Sequence, residues 1–438
     1  MNRSQKIVSF AALPVAALAV AAAWAYRHPE IAPVELPGVA SFDSDLLYLG
    51  EALAGIGACE VCHTSRGGAP YAGGLALPTP FGVVYSTNIT PDAETGIGGW
   101  SEAAFRRAMR QGVDRKGRHL YPAFPYDHFT KATDEDIRAI YAYLITREPV
   151  DNTAPENELR FPFNIRALLA GWKLLFLETG EYQPDPGQNE EWNRGAYLAE
   201  GLGHCGACHS PRNIFGAVLR DSAYDGGEAE HWLAPALNEK SPAPIPWSQI
   251  QLVNYLFDGW DSDHGIAGGP MAPIVNHLYD QSEDDIFAIA AYFESRQRRP
   301  PNEAERQLVI DRAKSLDWVS EPGYLPDKTP EDPSVQNGME VFRDQCSNCH
   351  KRGGGEQLPV SLALTSTVNA SDPRNVIHII FDGIRPTRGA MQRSMPGMGA
   401  SILDRDIVDL VKFLRWHFTD LLPWDGVAEH VAEKRASW

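Results

Sequence analysis

The sequence predicts a mainly α-helical protein built from three consecutive domains of one type. All six cysteines of the 438-residue chain lie in three copies of the pattern Cys-x-x-Cys-His. A short helical pattern precedes each copy, and an amphipathic helix closes the region that follows it. A chain of 438 residues also suits several domains better than one core, since domains usually hold roughly 100–200 residues. We therefore expect one domain around each copy.

The helical patterns on either side of the three copies occur at matching places. The opening helices are predicted over 46–53, 193–198 and 337–342, and the closing helices over 133–144, 282–293 and 404–414. Thr133 and Ser282 are residue types that cap helices, and acidic residues follow them in the first turn, where they suit the helix dipole. The predicted segments are domains over 40–150, 186–300 and 333–422, Pro-rich connectors over 151–185 and 301–332, and a tail over 423–438, expected to be a surface or partner strap.

The first connector contains a strongly apolar segment, Ile165 to Leu177. It is too short to span a bilayer, which takes roughly 20 residues. We expect a helix buried between domains, and the alternative is an interfacial helix that faces a membrane or a quinone.

Residues 1–30 are predicted to be an export signal or a membrane anchor. Arg3 and Lys6 precede an uncharged run from Ile7 to Tyr26. The length of the run favours a retained anchor, since a span needs roughly 20 residues, whereas Ala21 to Ala23 offers a cleavage site. Both alternatives place the remainder of the chain outside the cytoplasm.

The composition restricts the partners. A formal net charge of -18 disfavours binding to nucleic acid, because the phosphate backbone carries the same sign. A hydrophobic content of 43% with 22% charged residues is ordinary for a globular protein and excludes a multi-span membrane protein.

The Cys-x-x-Cys-His pattern is typical of covalent haem c attachment. Two thiols at this spacing bond the two vinyl groups of one porphyrin, and the His is the proximal ligand of the iron. Three disulfides would leave the His after each second Cys unexplained, and a zinc site would have to join distant copies. The predicted attachment residues of three haems are Cys59, Cys62 and His63, then Cys205, Cys208 and His209, then Cys346, Cys349 and His350.

The sixth ligand of each iron decides its chemistry, and Met is the usual ligand in electron carriers. Met271 is the only methionine of the second predicted domain, and it lies in a loop before the closing helix. In the third domain we choose Met395, which Pro396 and Gly397 follow, over Met391 and Met398.

The first domain has Phe124 where a ligand Met is expected, and Phe cannot bind iron. His128 is the predicted ligand, and His119, Met109 and an open position are alternatives. An open position would allow small molecules to bind the iron.

Several stretches resemble a known family, the triple-haem cytochrome c subunits of membrane-bound bacterial periplasmic dehydrogenases. They are Tyr85-Ser-Thr-Asn-Ile-Thr-Pro-Asp, Gly96-Ile-Gly-Gly-Trp, His119-Leu-Tyr-Pro-Ala, Glu191-Trp-Asn-Arg-Gly-Ala-Tyr and Gly201-Leu-Gly-His-Cys-Gly-Ala-Cys-His-Ser-Pro-Arg-Asn. The resemblance covers residues 40–420 and implies three class I cytochrome c domains on the periplasmic side of the inner membrane.

The resemblance also implies a function and partners. A catalytic subunit oxidises an alcohol, an aldehyde, gluconate or nicotinate, and the cytochrome subunit passes the electrons to ubiquinone or a terminal oxidase. The loop from Pro122 to His128 looks most like the group paired with molybdopterin and iron–sulfur aldehyde or N-heterocycle dehydrogenases, which implies a small iron–sulfur subunit. Cytochromes of quinoprotein alcohol dehydrogenases or flavin sugar dehydrogenases are the alternative. The rival from another class is a haem peroxidase or small-ligand reductase working at an open first haem.

Overall fold

Helices form most of the regular structure. The computed structural model describes residues 28–38, 42–298, 302–320, 330–350, 361–390 and 393–438. The helices of these residues are α1 (Ser44–Ile56), α2 (Cys59–Cys62), α3 (Glu102–Gln111), α4 (Tyr126–Phe129), α5 (Asp134–Ile145), α6 (Leu169–Phe176), α7 (Glu190–Glu200), α8 (Gly206–His209), α9 (Gln249–Asp258), α10 (Met271–Leu278), α11 (Glu283–Glu294), α12 (Glu303–Leu316), α13 (Pro333–Gln345), α14 (Ser366–Asn369), α15 (Arg374–Asp382), α16 (Asp404–Phe418) and α17 (Val427–Ser437). The mainly helical prediction is confirmed.

The strands are short and lie in small antiparallel sheets. They are β1 (Ala76–Thr79), β2 (Gly82–Tyr85), β3 (Glu158–Leu159), β4 (Gly227–Ala229), β5 (Trp232–Ala234), β6 (Trp260–Asp261) and β7 (Gly265–Ile266). Strand β2 lies between β1 and β3, with Ala76 opposite Tyr85 and Val83 opposite Glu158. Strands β4 and β5 form a second sheet, and β6 and β7 form a third.

The chain divides into two compact units. Of the described residues, the first unit comprises those up to 183 together with 200–204 and 214–217, and the second comprises 184–199, 205–213 and those from 218 onwards. The first predicted domain lies in the first unit, and most of the second and all of the third lie in the second unit. The domain boundaries within the second unit stay a prediction.

Each opening helix crosses its closing helix at a glycine. A methyl group on Gly50 would overlap the backbone of Ala139, one on Gly195 would overlap that of Ala288, and one on Gly338 would overlap that of Asp409. Four residues further along each closing helix an aromatic side chain packs on the same glycine: Tyr143, Tyr292 and Phe413. The three pairs α1 and α5, α7 and α11, and α13 and α16 therefore share one packing geometry, which only glycine permits at the contact.

The predicted caps are confirmed. The Thr133 hydroxyl accepts a hydrogen bond from the amide of Asp136 at 3.1 Å, and that of Ser282 accepts one from the amide of Asp285 at 3.2 Å. Both bonds satisfy amides that the first turn of a helix leaves unpaired.

Helices α12 and α17 lie in segments that were predicted to be a connector and a strap. Helix α12 occupies the second connector. It begins with a capping box, in which the side chain of Asn302 accepts from the amide of Glu305 and the side chain of Glu305 accepts from the amide of Asn302. That Asn-x-x-Glu spacing in the sequence indicates the N-terminus of a helix. Helix α17 occupies the predicted strap, and Val427 and Val431 join the core that also contains Trp424. The tail thus packs against the core of the third predicted domain.

The prediction for Ile165 to Leu177 was wrong in one respect. The segment is helical from Arg166 to Phe176, but Leu174 and Leu175 are 68% and 72% exposed rather than buried.

The predicted anchor, Ile7 to Tyr26, lies outside the described residues. Within the described ranges, none of the helices combines the length and the apolar character that a membrane crossing requires.

The crossing geometry predicts a large effect of one methyl group. We expect Gly338→Ala to lower the free energy of unfolding by about 2–3 kcal/mol, because the methyl group must displace the backbone of Asp409. Gly171→Ala is the matched control, since no atom lies within 4 Å of the added methyl group and Ala is the better helix former. Denaturant unfolding checks both, and a Gly338→Ala variant as stable as the parent would contradict the assigned packing.

Asp317 gives the fold a pH dependence. Burial raises the pKa of its carboxyl from 3.8 to about 6. The stability contributed by the protonated form is complete below pH 3.8 and is lost as the pH rises through about 6. Asp317→Asn keeps the acceptor for the Ser361 hydroxyl, which lies 2.9 Å from the carboxylate. We expect this variant to be roughly 1–2 kcal/mol more stable at pH 7 and equal to the parent near pH 4.

Unfolding midpoints measured from pH 4 to 8 test this prediction. Asp311→Asn, at an exposed position of helix α12, which Asp317 directly follows, is the control. Identical pH profiles for the Asp317 variant and the parent would remove the assigned role.

Candidate functional site

The three Cys-x-x-Cys-His copies adopt the same helical turn. The amide of the His donates to the carbonyl of the first Cys at 3.0 Å for His63, 3.0 Å for His209 and 2.9 Å for His350. This bond joins residues four apart, so the first Cys and the His lie on one side of the turn, and the second Cys lies three residues from the first. The turn presents two thiols and one imidazole together, as haem attachment requires.

Two of the histidines are held by backbone carbonyls. The Nδ1 atom of His63 lies 2.6 Å from the carbonyl oxygen of Thr87, and that of His209 lies 2.7 Å from the carbonyl oxygen of Pro235. Since a carbonyl only accepts, Nδ1 carries the proton in both rings and Nε2 carries the lone pair. This tautomer is the one that binds iron through Nε2.

A glycine holds each of these two histidines to its acceptor loop. The amide of Gly73 donates to the carbonyl of His63 at 2.7 Å, and the amide of Gly226 donates to that of His209 at 2.9 Å. Both glycines have positive φ angles, 74° and 94°. A side chain at Gly73 would overlap the backbone of Thr87, so glycine is needed for the loop to reach the imidazole.

The electrostatics of the turns fit a neutral imidazole and uncharged thiols. Burial lowers the pKa of His63 and His209, and it lowers that of His350 to about 4. Burial also raises the pKa of the Cys59 and Cys205 thiols to about 12. The residues present therefore fit covalent attachment of haem, with neutral histidine as the iron ligand.

The candidates for the sixth ligand in the first unit have different surroundings. The Nδ1 atom of His128 lies 2.9 Å from the carbonyl oxygen of Glu200, which places its proton on Nδ1, as in His63 and His209. The Nδ1 atom of His119 lies 3.1 Å from the Lys173 ammonium and accepts from it, so its proton is on Nε2. Burial also lowers the pKa of His119 to about 4. His128 thus has the tautomer of an Nε2 iron ligand and His119 does not.

The methionine candidates are also separated. Met109 is buried in helix α3. The prediction that Met271 lies in a loop was wrong: Met271 begins helix α10 directly after Pro270, and it is partly buried. Met395 and Ile384 form an isolated antiparallel β-bridge, in which the amide of each donates to the carbonyl of the other, with N to O distances of 2.8 and 2.9 Å. Met398 packs against the core of the third predicted domain, and Met391 lies outside the described residues.

The second and third motifs lie in one compact unit, and direct contacts join their surroundings. Asn375 of α15 bonds both backbone groups of Leu233, at 2.9 Å and 2.8 Å. The Thr387 hydroxyl donates to the carbonyl of Asp258 at 2.9 Å, and Arg374 pairs with Glu228 at 2.8 Å. These contacts restrain the positions of the two motifs relative to each other.

Sequence reasoning missed the acceptors and the lysine. The carbonyls of Thr87 and Pro235 carry no residue signature of their own, because any residue supplies a carbonyl. The stretch that begins at Tyr85 contained Thr87, and its structural role is to bring that carbonyl to His63. Lys173 lies within the apolar segment from Ile165 to Leu177, and nothing in its local sequence indicates that it is buried and bonds His119.

The chain is similar to several known proteins. Residues 333–414 match the family model described as cytochrome c oxidase, cbb3-type, subunit III. A nicotinate dehydrogenase subunit of Pseudomonas putida is 46% identical over 426 residues, which are 96% of this chain and 34% of that protein. This chain thus spans about a third of the length of that relative.

Two shorter relatives match over most of their length. The gluconate 2-dehydrogenase cytochrome c subunit of Pantoea cypripedii is 36% identical over 388 residues, 84% of this chain and 85% of that protein. The fructose dehydrogenase cytochrome subunit of Gluconobacter japonicus is 33% identical over 399 residues, 87% of this chain and 81% of that protein.

Proposed function

This chain belongs to the cytochrome c electron-transfer subunits of dehydrogenase complexes, and on that premise we propose that it carries three covalent haems c and relays electrons between them. The observation that carries the proposal is the turn of the three Cys-x-x-Cys-His copies, which repeats with the same hydrogen bond from His to Cys. Each turn follows the glycine of an opening helix by a few residues, and the three turns have the same hydrogen bond. This repetition supports three haems that are attached in the same way.

The roles of the residues follow from the site. Cys59 and Cys62, Cys205 and Cys208, and Cys346 and Cys349 attach the three porphyrins, and His63, His209 and His350 are the proximal ligands. The haem iron supplies uptake and release of one electron at a time. The chain holds the imidazoles: the carbonyls of Thr87 and Pro235 keep Nδ1 protonated and stop the rings from rotating.

We assign the sixth ligands to His128, Met271 and Met395. The tautomer of His128 supports its assignment, since the carbonyl of Glu200 orients it as Thr87 orients His63. The β-bridge to Ile384 supports the assignment of Met395, because it fixes the backbone that carries the sulfur. An imidazole ligand gives the first haem a lower reduction potential than a Met ligand would.

The electron donor is a catalytic dehydrogenase subunit. The 46% identity to a nicotinate dehydrogenase subunit supports a molybdopterin and iron–sulfur enzyme for an N-heterocycle or aldehyde, with a small iron–sulfur subunit. The lower identities of 36% and 33% to gluconate and fructose dehydrogenase cytochromes keep a flavin sugar dehydrogenase, or a quinoprotein alcohol dehydrogenase, as the alternative. The acceptor is ubiquinone or a terminal oxidase at the periplasmic face of the inner membrane, and the apolar run from Ile7 to Tyr26 supports that location.

A second candidate function rests on Phe124. Since Phe cannot bind iron, a first haem without a sixth ligand would bind small molecules and act as a peroxidase or a small-ligand reductase. The tautomer of His128 favours the electron carrier over this candidate.

The first experiment is to purify the native complex from membranes through a tag on this chain, identify the subunits and count haem per chain. We expect three haems, a large molybdenum-containing subunit and a small iron–sulfur subunit. Replacing both thiols of one motif, with Cys59→Ala and Cys62→Ala, is expected to leave two haems. Glu60 lies between those two cysteines, and the control variant Glu60→Ala is expected to retain three haems.

Different results would change different parts of the proposal. A quinoprotein or flavoprotein partner would retain the electron carrier and replace its donor. A chain that purifies without a partner and holds fewer than three haems would overturn the relay.

The assignment of His128 makes a spectroscopic prediction. His128→Ala is expected to convert one haem in three from low-spin to high-spin and to let it bind carbon monoxide, whereas His128→Met restores low spin at a higher potential. His119→Gln is the control and is expected to leave all haems low-spin, because Lys173 occupies its Nδ1. Absorption and electron paramagnetic resonance spectra of the holoprotein check this, and a high-spin haem in the His119 variant alone would reverse the assignment.

A further inference from the structure

Helix α6 buries its only charged residue and exposes two of its three leucines. Its inward residues are Leu169, Ala170 and Lys173, while Leu174 and Leu175 point to solvent. A helix on the surface of a water-soluble domain normally places its charged residues outside and its leucines inside. Here the lysine is 6% exposed and the two leucines are 68% and 72% exposed.

The contacts of Lys173 hold the helix in this orientation. Its ammonium donates to the carbonyl of Gln111 at 2.7 Å, to that of Gly112 at 2.5 Å and to Nδ1 of His119. Two of these acceptors lie at the C-terminus of α3, where a cation is favoured by the helix dipole. Rotating α6 to bury its leucines would break these three bonds and expose the partners, so the outward leucines are a fixed feature.

Neighbouring segments extend the apolar surface. Phe161 is 80% exposed, and Ile214 and Phe215 of a nearby loop are 85% and 53% exposed. The loop is joined to the helix because the indole of Trp172 donates to the carbonyl of Phe215 at 3.0 Å. Eight of the eighteen large exposed hydrophobic residues in the described part of the chain lie within 161–175 and 214–215. We call this surface the apolar patch; its other members are Phe163, Ile165 and Leu168.

The charge along the patch differs from that of the whole protein. Residues 160–177 contain no Asp or Glu, although the chain has a formal charge of -18. The basic residues of this stretch that reach its surface are the exposed Arg160 and the partly buried Arg166, since Lys173 is buried. An anionic bilayer repels most of such a protein and attracts a segment that is basic and apolar.

The described chain that follows the predicted anchor lies near helix α6, on the side of Lys173. His28 packs edge-on against His119, with ring centroids 5.6 Å apart, and Arg107 donates to the carbonyl of Pro29 at 2.7 Å. His119 in turn bonds Lys173 of α6. His119 therefore links His28, which follows the apolar run from Ile7 to Tyr26, to the inward side of helix α6.

We propose that the apolar patch is a membrane-docking surface, with helix α6 lying flat in the interface of a phospholipid bilayer. A helix of this kind buries its apolar face about 5–10 Å into the lipid interface. The proposal rests on the proposed location at the membrane, but it does not depend on the haem count or on the identity of the dehydrogenase. It adds a second membrane contact that orients the haem-bearing chain relative to the bilayer.

The test is site-specific photo-crosslinking in the full chain. A benzophenone amino acid replaces Leu174 in one variant and Leu308 in the control, in a bacterial host that attaches haem c. Leu308 is a helical leucine of α12 that is 70% exposed and lies outside the patch. After irradiation of intact membranes, mass spectrometry identifies the adducts, and the haem spectrum shows that each variant has folded.

We expect several-fold more phospholipid adduct at position 174 than at position 308. Adducts at 174 to a co-purifying subunit, to a second copy of the chain or to quinone alone would overturn the proposal, as would lipid adduct no greater than at 308. A chain absent from the membrane fraction would overturn the proposed location as well. A chain in the membrane with fewer than three haems but with lipid adducts at 174 would overturn only the haem count.

Discussion

The contact on which the rest of the structure depends is the glycine crossing between each opening and closing helix. Gly50, Gly195 and Gly338 let two backbones approach until no space remains for a methyl group. The first Cys of each motif follows this glycine by eight to ten residues, so the crossing determines where the thiols and the imidazole emerge. A shift of one helix along the other would move the whole turn, because close-packed interiors transmit displacement rather than absorb it.

Around each turn the chain supplies backbone groups more than side chains. The imidazoles of His63 and His209 are bonded by carbonyls of distant loops, and glycines bring those loops close. A carbonyl neither titrates nor donates, so it keeps the ring in one tautomer over a wide pH range. His128 has the same kind of acceptor, whereas His119 faces an ammonium. Two histidines nine residues apart thus carry their proton on opposite ring nitrogens, and that difference decides which nitrogen is available to a metal.

Lys173 connects this chemistry to the outer surface. A buried ammonium must be satisfied by acceptors, since leaving it without them costs several kcal/mol. The carbonyls at the end of α3 and the ring of His119 satisfy it, and in doing so they fix which side of α6 faces outward. The polar contact inside and the apolar surface outside are consequently two results of one constraint.

The sequence by itself determined the helical class, the three attachment motifs, the helix caps at Thr133 and Ser282 and the family. These features depend on local spacing: two thiols and a His within five residues, or a hydroxyl before a helical run, read the same in any surroundings. Only the tertiary structure decided the orientation of α6, the docking of α17 and the carbonyl partners of the histidines. Those features depend on which distant backbone group comes within about 3 Å, and no local pattern in the chain carries that information.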